Sequence, residues 1–162
     1  MSVENEVILL VEDNEDDVFI FRRAYKQAGL PYPLQVAGDG QEALDYLQGM
    51  DRFADRTAYP LPFLVLLDLK LPFKNGLEVL QIVRHRPELA GLCVVVLTSS
   101  AEQRDLVRAR ELGAHAYLVK PPAPSVLVAA IESVRQRHEG KTPGAARPIQ
   151  GNLLAGGSNP PV

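Results

Sequence analysis

The run Phe63-Leu64-Val65-Leu66-Leu67, followed directly by Asp68, constrains this chain more than any other stretch. Five consecutive apolar, β-compatible residues, set off upstream by Pro60 and Pro62, form the pattern of a strand buried on both faces. Asp68 then falls at the carboxyl end of that strand, and open α/β sheets bind their ligands outside such ends. A turn-initiating aspartate would explain Asp68 taken alone. The other strand ends decide between the two.

Residues 7–11 are a second continuous apolar run, which stops at Glu12-Asp13-Asn14-Glu15-Asp16-Asp17. Val18, Phe21, Ala24, Tyr25 and Ala28 recur at threes and fours and predict a helix over 15–28, closed by Gly29. Carboxylates in a first helical turn are favoured by the helix dipole. That accounts for Glu15, Asp16 and Asp17 but leaves Glu12 and Asp13, between strand and helix, without a structural reason. A short strand over 34–37, a turn at 38–40 and a helix over 41–48 burying Ala43, Leu44 and Leu47 come next. Residues 49–62 carry no sustained period and read as a long loop. Beyond Asp68 the chain passes Pro72 and Gly76 into a helix over 77–86, with Val79, Leu80 and Val83 inward and Pro87 at its end. A strand over 93–97 ends at Thr98-Ser99-Ser100, and a helix over 102–112 stops at Gly113. A strand over 116–119 ends at Lys120-Pro121-Pro122, and a last helix over 125–138 turns Leu127, Ala130, Ile131 and Val134 inward.

Strand and helix thus alternate five times, which calls for a doubly wound α/β fold: a five-stranded parallel sheet between helical layers, a flavodoxin-like three-layer sandwich with strand order 2-1-3-4-5. In that order Glu12, Asp13, Asp68, Thr98 and Lys120 converge at one edge of the sheet. Three carboxylates so close repel one another unless a cation enters, and a hard divalent ion such as Mg²⁺ suits all-oxygen ligands and bridges carboxylates to phosphoryl oxygens. With Lys120 and the Thr98 hydroxyl to receive an oxyanion, the set describes a site where Asp68 attacks phosphorus as a nucleophile.

The chain has 162 residues, enough for one domain over 1–139, and nine of the last 24 residues are Gly or Pro, so 140–162 read as a tail or arm. A net charge of −3 gives no basis for a nucleic-acid partner, and the pair Arg135 and Arg137 reads as a helix end complementing its dipole. The acidic, polar start lacks a signal segment and no apolar stretch is long enough for a membrane span, so a cytoplasmic location is expected. Cys93 is alone, excluding an internal disulfide, and reads as a small buried hydrophobe. His85, His115 and His138 show no metal-ligand spacing.

Four motifs in order, Leu10-Val11-Glu12-Asp13, Leu66-Leu67-Asp68-Leu69-Lys70-Leu71-Pro72 with Asn75-Gly76, Leu97-Thr98-Ser99, and Tyr117-Leu118-Val119-Lys120-Pro121, resemble the receiver domain of two-component response regulators over about residues 5–138. The resemblance implies that Asp13, Asp68 and the backbone carbonyl of Lys70 ligate Mg²⁺, with Glu12 acting through water. It also implies that Asp68 accepts the phosphoryl group from a sensor histidine kinase, that Thr98 and Lys120 hold it, that Tyr117 switches rotamer with Thr98, and that Lys120–Pro121 is cis. Glu12 stands where many receivers have Asp. The 49–62 insertion and the Thr98-Ser99-Ser100 run look most like single-domain receivers paired with phytochrome-type kinases. Two other readings use similar chemistry. A phosphohydrolase of the haloacid dehalogenase type wants a second acid two residues after its nucleophile, where this chain has Lys70, and a flavodoxin-like binding module wants a Gly-rich phosphate loop that does not follow the first strand. Finally, residues 126–131 are apolar at six consecutive positions, more than one inward stripe needs. They predict an outward apolar face on the last helix and a homodimer through it, with the tail as an arm across the partner.

Overall fold

The computed structural model describes residues 6–99 and 102–140, with side chains through 137 in the last helix. Its elements alternate as the apolar runs require: β1 (Ile8–Val11), α1 (Glu15–Ala28), β2 (Leu34–Ala37), α2 (Gly40–Gln48), β3 (Leu64–Asp68), α3 (Gly76–His85), β4 (Cys93–Thr98), α4 (Gln103–Glu111), β5 (Ala116–Val119) and α5 (Pro124–Gly140). The five strands form one parallel sheet in the order β2-β1-β3-β4-β5. Asp68 is the last residue of β3 and Thr98 the last of β4, each one residue further into the sheet than the apolar run alone would place it.

Side-chain alternation along the strands sorts the core into two separate layers. Ile8, Leu10, Leu64, Leu66, Val95, Leu97, Ala116 and Leu118 pack against α1 and α5, through Phe21, Ala24 and Tyr25 on the one and Leu127, Ala130, Ile131 and Val134 on the other. The intervening residues, including Leu9, Val11, Val65, Leu67, Val94, Val96 and Tyr117, pack against α2, α3 and α4. Local signals fix where the helices begin and end. Asn14, Asp39 and Asn75 each accept a hydrogen bond from the backbone three residues on, Asn75 within a full capping box with Glu78. Gly29 and Gly49 close α1 and α2 in the left-handed region.

Three expectations need correction. First, residues 49–62 are not an open loop. A 3-10 turn at Asp51–Phe53 buries Phe53, whose ring stands 5.1 Å from both Tyr46 and Tyr59. The Arg56 guanidinium donates to the carbonyls of Tyr46, Leu47 and Tyr59 at 2.8–2.9 Å, so it satisfies the open end of α2. This segment is held by three aromatics from separate positions and one arginine, none of which produces a period. Second, α5 presents no outward face of large apolar residues. Ile131 is fully buried, Val126 packs against the core and Val128 is half-buried, leaving only Ala129 of the run exposed. A helix packed against the sheet and beside α1 buries a wider arc than the single stripe assumed from sequence. Third, Arg135 and Arg137 are not merely complements to a helix dipole. Arg135 pairs with Glu6 and lies over the rings of Tyr32 and Phe63, while Arg137 donates to His115.

Helix α5 also runs to Gly140, past the expected end. The rest of the proposed arm, 141–162, lies outside the described residues. At the opposite end of the sheet from Asp68, Arg84 of α3 donates to four carbonyls, those of Leu112, Ala90, Leu92 and Gly113, at 2.6–3.0 Å. It joins the α3–β4 and α4–β5 connections.

Candidate functional site

A parallel sheet brings all its carboxyl ends to one edge, and here β1, β3, β4 and β5 deliver Glu12, Asp68, Thr98 and Lys120 to it. Glu12, Asp68 and Lys120 continue the alternation of Leu10, Leu66 and Leu118, which is the α1 and α5 side. Their side chains meet: Lys120 Nζ lies 2.7 Å from Glu12 Oε1 and 3.1 Å from Asp68 Oδ2. Thr98 follows the alternation of Val94 and Val96 and so belongs to the other side. Asp68, Glu12 and Thr98 are all nearly inaccessible, at 2%, 3% and 1% exposure, so their polar groups depend on protein partners. Asp68 Oδ1 accepts from the Lys70 backbone N–H at 3.0 Å, and Glu12 Oε2 from that of Asn14 at 3.1 Å.

Burial pushes the Glu12 carboxyl above its ordinary range, against the pull of the Lys120 ammonium and the Asn14 N–H, with the Asp68 charge adding to the upward shift. For Lys120, burial alone would lower the pKa. Hydrogen bonds to Glu12, Asp17 and Asp68 outweigh it and hold the ammonium firmly protonated. The result is a fixed cation beside the Asp68 carboxylate. Glu12, Asp13 and Asp68 each offer a carboxylate oxygen, all within 4.8 Å of one another, with Asp13 on the exposed side. Three hard oxygen donors around an opening to solvent fit a divalent ion that keeps part of its water shell. The Lys70 main chain lies at the same turn.

Glycine keeps this turn tight. The Gly76 N–H donates to the Leu69 carbonyl at 3.0 Å, and a Cβ at Gly76 would sit 2.3 Å from the Asp68 carbonyl oxygen. Across β4 and β5 the Lys120 N–H donates to the Thr98 carbonyl at 2.9 Å. The Lys120–Pro121 bond is cis, as the resemblance implied. Helix α4 takes Glu102 as its N-cap, so capping does not explain Thr98. Tyr117 is buried on the α2–α4 side, where its hydroxyl accepts from Arg110 Nε at 3.3 Å. Lys70 extends outward to Glu102 and Asp105, at 3.5 and 4.0 Å. No acid takes the place a haloacid dehalogenase needs.

One residue at the site was assigned only to the helix dipole. Asp17 Oδ2 lies 2.9 Å from Lys120 Nζ, making it the third carboxylate on that ammonium. Its place at the third position of α1, one turn past Asn14, brings it to the strand ends, and only the packing of α1 beside α5 and the segment after β5 reveals the contact.

Residues 8–132 match the family model of the response regulator receiver domain. The probable methanogenesis regulatory protein FilR2 of Methanothrix harundinacea is 37% identical over 142 residues, covering 86% of this chain and 89% of that protein. Response regulator Rcp1 of Synechocystis is 37% identical over 115 residues, 71% of this chain and 76% of its own. The crystal structure of the Mn²⁺-bound form of Rcp1 matches 89% of this chain and 99% of that one at 32% identity, with a TM-score of 0.64. The bacteriophytochrome response regulator RtBRR aligns at 46% identity over 78% of this chain and 76% of that one, with a TM-score of 0.71.

Proposed function

This chain belongs to the response regulator receiver domain family, and from that premise we propose that Asp68 is the residue that accepts the phosphoryl group. The family consists of phosphorylation switches rather than turnover enzymes, and phytochrome response regulators are among this chain's near relatives. The observation that carries the assignment is the salt bridge of Lys120 to Asp68, 3.1 Å long, beside the cluster of Glu12, Asp13 and Asp68. An Asp68 oxygen attacks phosphorus, the bond from phosphorus to the donor's leaving atom breaks, and that atom departs with its electron pair. The Lys120 ammonium would donate to one phosphoryl oxygen and the Thr98 hydroxyl to another, offsetting the charge that develops there. Asp13, Asp68 and the Lys70 carbonyl would hold Mg²⁺, with Glu12 acting through water. The ion would offset carboxylate and phosphoryl charge. Thr98 and Tyr117, both buried on the α2–α4 side, would carry the change to that surface.

Labelling with acetyl phosphate, with and without Mg²⁺, followed by mass mapping, tests this reading. Label should appear on Asp68, depend on Mg²⁺ and vanish in Asp68→Asn, whose amide fits the pocket but is a poor nucleophile. Undiminished label in that variant would remove Asp68 as acceptor.

The protein donor we propose is a sensor histidine kinase of the phytochrome type, on the strength of the likeness to the bacteriophytochrome response regulator RtBRR and the cyanobacterial phytochrome response regulator RcpA. Phosphotransfer should then be faster from a bacteriophytochrome kinase than from an unrelated histidine kinase. We place the reaction in the cytoplasm; among the described residues no helix is long and apolar enough to cross a membrane. Self-association is proposed on narrower ground than the sequence suggested, since of residues 126–131 Ala129 is exposed and Val126 and Val128 are half-buried.

A further inference from the structure

Lys120 makes three ion pairs, and their surroundings differ. The ammonium has three N–H donors, and all are engaged, by Glu12 at 2.7 Å, Asp17 at 2.9 Å and Asp68 at 3.1 Å. A phosphoryl oxygen can accept a hydrogen bond from this group only as one of these is given up. The side chains of Glu12 and Asp68 are 2% and 3% exposed, so as the phosphoryl donor approaches, with Asp68 still a carboxylate, either would be left buried and short of a donor. Asp17 is 38% exposed and can turn to water. It is also the one carboxylate of the three that the metal cluster does not include.

We propose that Asp17 is a positioning residue for Lys120: in the unphosphorylated protein it occupies one of the ammonium's donors, and it is the partner released as the phosphoryl donor engages Asp68. This rests on Asp68 as the acceptor. While Asp17 remains, its negative charge offsets part of the attraction between Lys120 and the incoming phosphoryl oxygens. Its release also loosens a tie between the first turn of α1 and the segment after β5. Those two elements border a small cavity of about 150 Å³ lined by Asp17, Ile20, Phe21, Lys120, Pro121 and Pro122 among others. Phosphorylation would thus be felt at the seam between α1 and the Lys120–Pro122 segment, independently of Thr98 and Tyr117.

The test measures the rate of Asp68 labelling by acetyl phosphate in the full chain with Mg²⁺, where Asp68 displaces acetate from phosphorus. Asp17→Asn keeps the shape and an acceptor but removes the charge, and should label about fivefold faster, the size expected for one charge removed at close range in a partly wet site. Asp17→Ala should also accelerate it. Asp16→Asn makes the same change in net charge on an exposed neighbour and should label at the wild-type rate. The decisive readout is a double-mutant cycle: in a Lys120→Ala background, which labels slowly, Asp17→Asn should give no acceleration, because the effect runs through the ammonium. An acceleration that persists without Lys120, or Asp17 variants that label at or below the wild-type rate, would overturn the proposal while leaving Asp68 as acceptor. Wild-type protein with no label on Asp68 would instead overturn the acceptor assignment, and this inference with it.

Discussion

At the scale of single residues, the site as proposed separates into groups that would bind the metal and groups that would bind the phosphoryl. Asp13 is exposed and lies within reach of both buried acids, so Asp13→Ala should weaken Mg²⁺ binding without moving the label from Asp68. Even outer-shell partners of bound metals are worth 10–100-fold in affinity, so the loss should be at least about tenfold. Calorimetric titration checks it, and equal affinities would show that Asp13 contributes no ligand. The residues that a strand end dictates were legible in sequence: Glu12, Asp13, Asp68, Thr98 and Lys120 each follow an apolar run, and a parallel sheet has only one edge to put them on. Asp17 was not, because its role depends on the angle at which α1 crosses the sheet. His115 was given no role, yet it is 3% exposed, lies 2.8 Å from Ser133 Oγ through Nε2, and accepts from Arg137 at Nδ1. Burial, with the Arg137 charge added, holds its pKa below the ordinary value of 6.5. The ring is therefore neutral in the folded protein and ties α5 to the start of β5.

At the scale of elements, that tie gives a pH dependence with a definite sign. The unfolded chain takes up the His115 proton more readily than the folded one, so this contribution is fully present above 6.5 and is lost as pH falls from there through the lower folded value. Urea unfolding at about pH 7.5 and about pH 5.5 should show a drop in stability that His115→Gln reduces. The β3–α3 turn makes a second prediction. With a Cβ only 2.3 Å from the Asp68 carbonyl and 2.6 Å from Leu69 Cα, Gly76→Ala must displace backbone rather than a side-chain tip. It should cost about 1–3 kcal/mol, as overpacking does, and slow labelling of Asp68 in a protein that still folds. A third concerns Arg84, whose loss leaves four carbonyls without their donor. Arg84→Met should lower stability by about 1.5–3 kcal/mol in denaturant titrations, the range for hydrogen bonds from a charged donor, since two of the four bonds are part-buried and two are exposed. The regular elements were readable from period and caps, with ends shifted by a residue or two. The 49–62 segment was not, since Arg56 and three aromatic rings hold it through contacts that leave no repeating pattern.

For the whole molecule, the topology was legible because five strand–helix alternations with right-handed crossovers admit few arrangements of a parallel sheet. The sequence did not reveal how much of α5 the sheet and α1 would cover. Ile131→Glu would unfold the protein rather than disrupt an interface, since Ile131 is fully buried. Val128→Glu is the appropriate probe of self-association. If α5 is the interface, sedimentation should show a wild-type dimer that this change weakens at unchanged fold. A monomer at high concentration, with and without acetyl phosphate, would discard the homodimer. The side-chain alternation of the strands has a last consequence. Glu12, Asp68 and Lys120 continue the rows that face α1 and α5, whereas Thr98 and Tyr117 stand in the rows that face α2, α3 and α4. The sheet is a partition between two compartments: the proposed acceptor Asp68 and its partner Lys120 continue rows on one side, the Thr98 and Tyr117 side chains are buried on the other, and the strand ends are where the two sides meet. A conservative core substitution on the α2–α4 side should therefore leave the packing around Asp68 and Lys120 in place. A single-residue deletion within β3 would undo this, because it would carry the acceptor across the partition.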